Sequence, residues 1–114
     1  MEQTPRPARV EQISALDLKA WMDQGDPMTL VDVRTPDERD MARIEGARLL
    51  DQAFHDHLLT LDRDTPLVFQ CHHGMRSQAA AEYFLLKAGF RRVYNLIGGI
   101  EAWSQDVDPD VPRY

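Results

Sequence analysis

Short β-rich apolar runs alternate with helical segments along this chain, and the connections between them are only a few residues long. That alternation constrains the fold more than any other feature. Strands separated by helical crossovers run parallel, and a parallel sheet must be covered on both faces. The strand-like runs are Val10 to Ile13, Met28 to Val33, Ala47 to Leu50, Leu67 to Gln70 and Val93 to Leu96. The intervening segments carry helix signals. Ser14 is a good cap with Asp17 three residues on, Ile13 and Leu18 stand at staple positions, Leu18, Trp21 and Met22 share a face, and Gly25 ends the helix. Thr35-Pro36-Asp37-Glu38 opens a short helix, with Thr35 as cap, Pro36 in the first turn and acids at the positive end. Phe54, Leu58 and Leu61 lie on one face of another. Ser77 to Lys87 is apolar on nearly every side and is expected to be a buried helix stopped by Gly89. Gly98-Gly99 turns into a last short helix with Ile100 and Trp103, and both Trp21 and Trp103 read as core. The expected class is therefore α/β. Ligands of such sheets bind at the carboxyl ends of strands. Cys71 lies at one such end, and Asp32 and Arg34 lie near another.

At 114 residues the chain is one domain with a single real core. Residues 1–9, with Pro5 and Pro7, read as a flexible arm, 10–105 as the domain and 106–114 as a tail whose packing is open. A 43% hydrophobic and 28% charged composition argues against disorder. The net charge of −6 argues against broad binding to nucleic acid or an anionic membrane. The N-terminus lacks a signal-peptide core, no apolar run spans a bilayer, and one cysteine cannot form an intrachain disulfide, so a reducing, cytoplasmic setting is expected.

The single cysteine opens the run Cys71-His72-His73-Gly74-Met75-Arg76-Ser77, between a strand and a helix. A helix N-terminus, unpaired backbone N–H groups and a nearby arginine all favour a thiolate. The loop from His72 to Arg76 is expected to curl its N–H groups inward as an anion nest, with Gly74 permitting the tight backbone. Arg76 can hold an oxyanion in a planar two-point contact. Ser77 has two plausible jobs, as helix cap and as hydroxyl donor into the loop. An anion bound there would be attacked by the Cys71 sulfur to give a covalent intermediate. The bland alternative is a buried structural cysteine. Two His, a Gly, an Arg and a Ser in the next six positions are a poor composition for core. Tyrosine-phosphatase-like loops place the arginine six positions after the cysteine, whereas Arg76 is five after Cys71. By comparison with those loops, the shorter spacing implies a smaller cradle, suited to a sulfur atom carried on the cysteine rather than a phosphoryl group.

From about Ile13 to Trp103 the chain resembles a single-domain rhodanese, a thiosulfate sulfurtransferase-like protein. The landmarks are Leu30-Val31-Asp32-Val33-Arg34 with Glu38, Ile44-Glu45-Gly46-Ala47, the cysteine loop, and Tyr94 to Ile100 with Trp103. The resemblance implies a rhodanese-like α/β fold with a central, mostly parallel sheet of about five strands and helices on both faces. It implies that Cys71 takes a sulfane sulfur from thiosulfate or a similar donor and becomes a persulfide. Cyanide or a thiol would then accept that sulfur, and a redox protein is a further possible acceptor. Backbone amides from His72 through His73, Gly74 and Met75 to Arg76 would stabilise the persulfide, and Arg76 would hold the donor's sulfite-like end. The arginine matching Arg34 usually pairs with the acid matching Glu38, and Asp32 is read as orienting the loop from the neighbouring strand. Two departures stand out: Arg39 where the family often has tyrosine, and Ala42-Arg43-Ile44 where it often has Gly-His-Ile.

No metal or cofactor is expected. His72 and His73 are adjacent and cannot both face one ion, no spaced partner follows, and His55 and His57 lie on the exposed side of a helix. His72 and His73 read instead as the rim of the pocket. A non-turnover sulfur-relay or partner-binding module is the alternative, and a cysteine phosphatase or arsenate reductase is disfavoured by the short loop and its lack of an acid.

Overall fold

The computed structural model describes residues 9–114, so most of the 1–9 arm lies outside the described residues. The chain runs β1 (Glu11–Ile13), α1 (Ala15–Gln24), β2 (Thr29–Asp32), α2 (Pro36–Met41), β3 (Arg48–Leu49), α3 (Gln52–Leu58), β4 (Leu67–Gln70), α4 (Met75–Leu86), β5 (Val93–Leu96) and α5 (Gly99–Asp106). The five strands form one sheet in the order β1-β5-β4-β2-β3, and every pair is parallel.

The period of two along each strand divides the core into two halves. Val31, Leu67, Phe69 and Val93 pack with Phe54 and Leu58 of α3 and Ala81, Phe84 and Leu85 of α4. Leu30, Val68 and Leu96 pack with Ala15 and Leu18 of α1 and Ile100 and Trp103 of α5. The expected sandwich of helices around a parallel sheet is therefore present. β4, buried at every position, lies between β5 and β2 and delivers Cys71 to the middle of the sheet's carboxyl edge.

Local signals act as read at most ends. Ser14 accepts from the Asp17 N–H, and Gly25 closes α1 in the left-handed conformation. Thr35 and Glu38 form a full capping box with Pro36 at the start of α2. α3 stops before Leu61. Trp103 is core, whereas Trp21 is half-buried edge-on to Tyr94. The expectation of a fully buried α4 is corrected: Ala81, Phe84 and Leu85 are buried while Tyr83 and Leu86 are exposed. α4 lies with one side against β4 and β5, so a largely apolar helix still shows its other face to solvent. Among the described residues, no helix is long and apolar enough to cross a membrane.

Candidate active site

Gly74, at φ +105°, turns the chain out of the loop so that α4 begins at Met75, two residues earlier than the sequence suggested. This shift corrects the reading of Ser77 as a cap. Gly74 is the cap residue, and Ser77 sits in the first turn, fully buried, with its hydroxyl 3.3 Å from Cys71 Sγ. The sulfur also accepts the backbone N–H of Gly74 at 3.1 Å and of Ser77 at 3.4 Å. Of the loop N–H groups from His72 to Arg76 expected to turn inward, that of Gly74 reaches the sulfur, and the Ser77 donors join it from the first turn of α4. Burial pushes the Cys71 thiol up, but the Ser77 hydroxyl and the N–H groups of Ser77, Gly74 and His73 outweigh it, and the net direction is below the ordinary thiol value. Cys71 itself is only 1% exposed, so the sulfur lies at the bottom of the loop.

A second helix N-terminus holds the loop from below. The Ile100 and Glu101 N–H groups at the start of α5 donate to the carbonyls of Cys71 (2.8 Å) and His72 (3.2 Å). The approach is close enough to require glycine: a Cβ at Gly99 would lie 2.3 Å from the Cys71 carbonyl oxygen and 2.5 Å from that of His72. Gly98-Gly99, read as the turn into a last short helix, is the floor of the site.

The charged groups pair differently from expectation. Arg34 does not pair with the Glu38 carboxylate. Its guanidinium is buried in a two-point contact with Asp32 (2.9 and 2.8 Å) and donates to the Ala42 and Glu38 carbonyls. Asp32 is turned the same way, toward Arg34 and also Arg39 at 3.3 Å, so it makes no hydrogen bond to the cysteine loop. The reason is position: Asp32 ends β2 two residues before Arg34, which leaves the pair no shorter route to satisfy two buried charges. Arg39, the departure from the family's tyrosine, also donates to the Ala47 carbonyl and so fastens α2 to the body.

Glu38 is thereby free to reach the loop. It takes Arg76 in a bidentate pair at 2.6 and 2.9 Å and accepts the Tyr114 hydroxyl at 2.8 Å. The Arg76 contact, more than any other, holds the Glu38 carboxyl well below the usual carboxylate range. Arg76 remains 46% exposed. Met75, 83% exposed, and His73 lie at the surface, while His72 is half-buried. The His72 ring is stacked between those of His73 and Tyr114, each at 3.9 Å. Among the described residues, no group of three or more His, Cys, Asp or Glu side chains converges as a metal site would require.

Three contributors escaped sequence reasoning. Asn95 of β5 accepts the Ser77 hydroxyl at 2.6 Å and donates to the Gly74 carbonyl at 3.1 Å. A polar residue inside the run Val93-Tyr94-Asn95-Leu96 was the available signal. Gly99 was read only as part of the turn into a last short helix. Tyr114 had no signal at all, because nothing in a Pro-rich tail shows where it returns.

A parallel α/β sheet with its lone cysteine cupped by backbone N–H groups at the carboxyl edge defines a class of thiolate-cradling proteins. The Rhodanese-like domain model matches residues 14–106, and the chain belongs to that family. It is 36% identical over 110 residues to a protein of Mycobacterium tuberculosis named as a probable adenylyltransferase/sulfurtransferase, MoeZ. That match covers 94% of this chain but only 28% of the relative, so the chain spans little more than a quarter of that protein's length. It is 44% identical over 75 residues to the thiosulfate sulfurtransferase GlpE of Ectopseudomonas mendocina, covering 65% of this chain and 68% of that one. Among solved structures it is similar to a rhodanese-like domain protein from Staphylococcus aureus, with a TM-score of 0.71 and 28% identity over 92% of this chain and 99% of that one.

Proposed function

We propose that this protein is a sulfurtransferase that carries a sulfane sulfur on Cys71. The observation that carries the reading is the sulfur's setting: buried to 1% exposure, yet met by the Gly74 and Ser77 N–H groups and the Ser77 hydroxyl. A structural cysteine has no use for three converging donors, whereas a thiolate or persulfide does. The names of the GlpE and MoeZ relatives point the same way.

In the proposed cycle the Cys71 thiolate attacks the outer sulfur of thiosulfate. A sulfur–sulfur bond forms, the bond to the sulfite group breaks, and sulfite leaves with the bonding pair. The persulfide keeps one negative charge among the loop N–H groups from His72 to Arg76. Cyanide or a thiol attacks the outer sulfur and returns the thiolate. Arg76 takes the sulfite end of the donor as its fork turns from Glu38. A sulfur this deep favours small donors and acceptors, with a partner protein's thiol reaching in only on a slender segment. The MoeZ match supports a second reading, in which a domain like this relays sulfur within a larger system.

Intact mass of wild type and Cys71→Ser, measured after thiosulfate and then after cyanide, tests the proposal. The expected result is gain of one sulfur by wild type only, lost to cyanide with thiocyanate released. No gain by a folded protein with a free thiol overturns thiosulfate as donor and favours the relay reading.

A further inference from the structure

The Ser77 hydroxyl has one proton and two candidate acceptors. Asn95 Oδ1 is at 2.6 Å and Cys71 Sγ at 3.3 Å. The identity of the Asn95 atoms follows from their partners. The Gly74 carbonyl can only accept, so the amide atom 3.1 Å from it must be the nitrogen, and the oxygen must face Ser77. The other Nδ2 hydrogen goes to Gln12 Oε1 at 3.0 Å, which is geometrically natural because Gln12 and Asn95 are register partners on β1 and β5. Gln12 Nε2 in turn donates to Gln78 Oε1 at 2.7 Å, and Gln78 Nε2 donates to the Glu82 carboxylate at 3.2 Å. Every donor in this chain points away from the sulfur. A carbonyl fixes it at the inner end and a carboxylate at the outer end, and such chains polarise in one direction.

We propose that Asn95 is a positioning residue that holds the Ser77 hydroxyl proton off the Cys71 sulfur in the resting thiol, making Ser77 a two-state switch. With its proton on Asn95, the Ser77 oxygen offers a lone pair to the Cys71 S–H and favours the neutral thiol. When charge appears on the sulfur, the hydroxyl turns toward it and donates. The resting cysteine is thus kept less reactive, and the site gains a donor only when there is a charge to receive it. The inference concerns the nucleophile of the proposed transfer and rests on that reading for its purpose. Its test reads the thiol alone, so it fails or stands independently of sulfur uptake.

The experiment is a pH titration of the Cys71 thiolate by its ultraviolet absorbance, with Cys71→Ser as the blank. Asn95→Ala frees the Ser77 proton for the sulfur, and the titration midpoint is expected to fall by roughly half a unit to one unit. Ser77→Ala removes the donor, and the midpoint is expected to rise. In a Ser77→Ala background, Asn95→Ala is expected to change nothing. An unchanged or raised midpoint in a folded Asn95→Ala protein overturns the proposal. So does an equal fall in the Ser77→Ala background, because the effect would then bypass Ser77. Should Asn95→Ala not fold, Gln12→Leu on the exposed edge strand carries the test. A smaller fall supports the proposal, and no fall overturns it.

Discussion

Two buried polar side chains at the ends of β2 and β4 sit under opposite constraints. The Arg34 guanidinium has no exposure, and its charge is met by Asp32 and by carbonyls on α2 and just beyond it. Burial alone would lower its affinity for the proton, but the hydrogen bonds and charge of Asp32, together with Tyr114, more than offset it, so it stays charged. Removing one member of such a pair strands the other. Arg34→Met is expected to cost about 3–5 kcal/mol, read by urea unfolding. Gln70, the register partner of Asp32, is also wholly buried, yet neither atom of its amide has a hydrogen-bond partner. Here the same substitution logic gives the other sign. Gln70→Met relieves an unpaired amide and is expected to gain about 1 kcal/mol by the same measurement. A loss instead shows that the amide is satisfied by an internal water or a bound ligand. Both are polar residues near strand ends, and the resemblance offered a partner only for Arg34. Only the third dimension says which has found a partner.

At the scale of elements, the site is a joint between the starts of two helices and the α2 cap. Gly99→Ala would drive a methyl into the Cys71 and His72 carbonyls, and α5 would have to back away from the loop. The expected result is a large loss of stability together with loss of sulfur uptake, read by unfolding and intact mass on one sample. The α2 end behaves differently with pH. Glu38 has a depressed folded-state value, so its pairing with Arg76 contributes stability that is fully present above the ordinary carboxylate value of about 4.3. That contribution is lost only as the pH falls well below that range. Glu38→Gln is expected to destabilise by about 1 kcal/mol at most near neutrality, because Arg76 is half-exposed, and the difference should vanish in strong acid. The variant also leaves the Arg76 fork open, so the KM for thiosulfate is expected to fall. A rise identifies Glu38 as the arm that aims Arg76. The elements themselves were legible: β4 and β5 were placed from their apolar runs, and the helix caps Ser14 and Thr35 from local chemistry. The partner of Arg34 was not legible. The family resemblance pointed to Glu38, while the capping box had already aimed that carboxylate outward.

For the whole molecule, the 106–114 tail, whose packing local patterns left open, closes over the site. Val111 is buried in the α1–α5 half of the core, its carbonyl accepts the Ser104 hydroxyl, and Arg113 pairs with Glu101. These contacts carry Tyr114 across to the opposite strand end. There its ring lies on His72, and its hydroxyl accepts from Arg34 at 3.0 Å and donates to Glu38 at 2.8 Å. The tail therefore ties α5 to α2 over the flank of the cysteine loop. The two halves of that tie separate by substitution. Tyr114→Phe keeps the stack and loses the bridge, at an expected cost of about 1 kcal/mol. Tyr114→Ala loses the stack as well, at roughly 1 kcal/mol more. The sulfur's own donors come from the loop and α4, with Asn95 behind them, and none comes from the tail. The thiolate titration is therefore expected to stay unchanged in both variants while unfolding midpoints fall in that order. A titration that moves with the tail would mean that Tyr114 sets the field at the sulfur through Glu38 and Arg76, and that the cradle extends across the whole carboxyl edge.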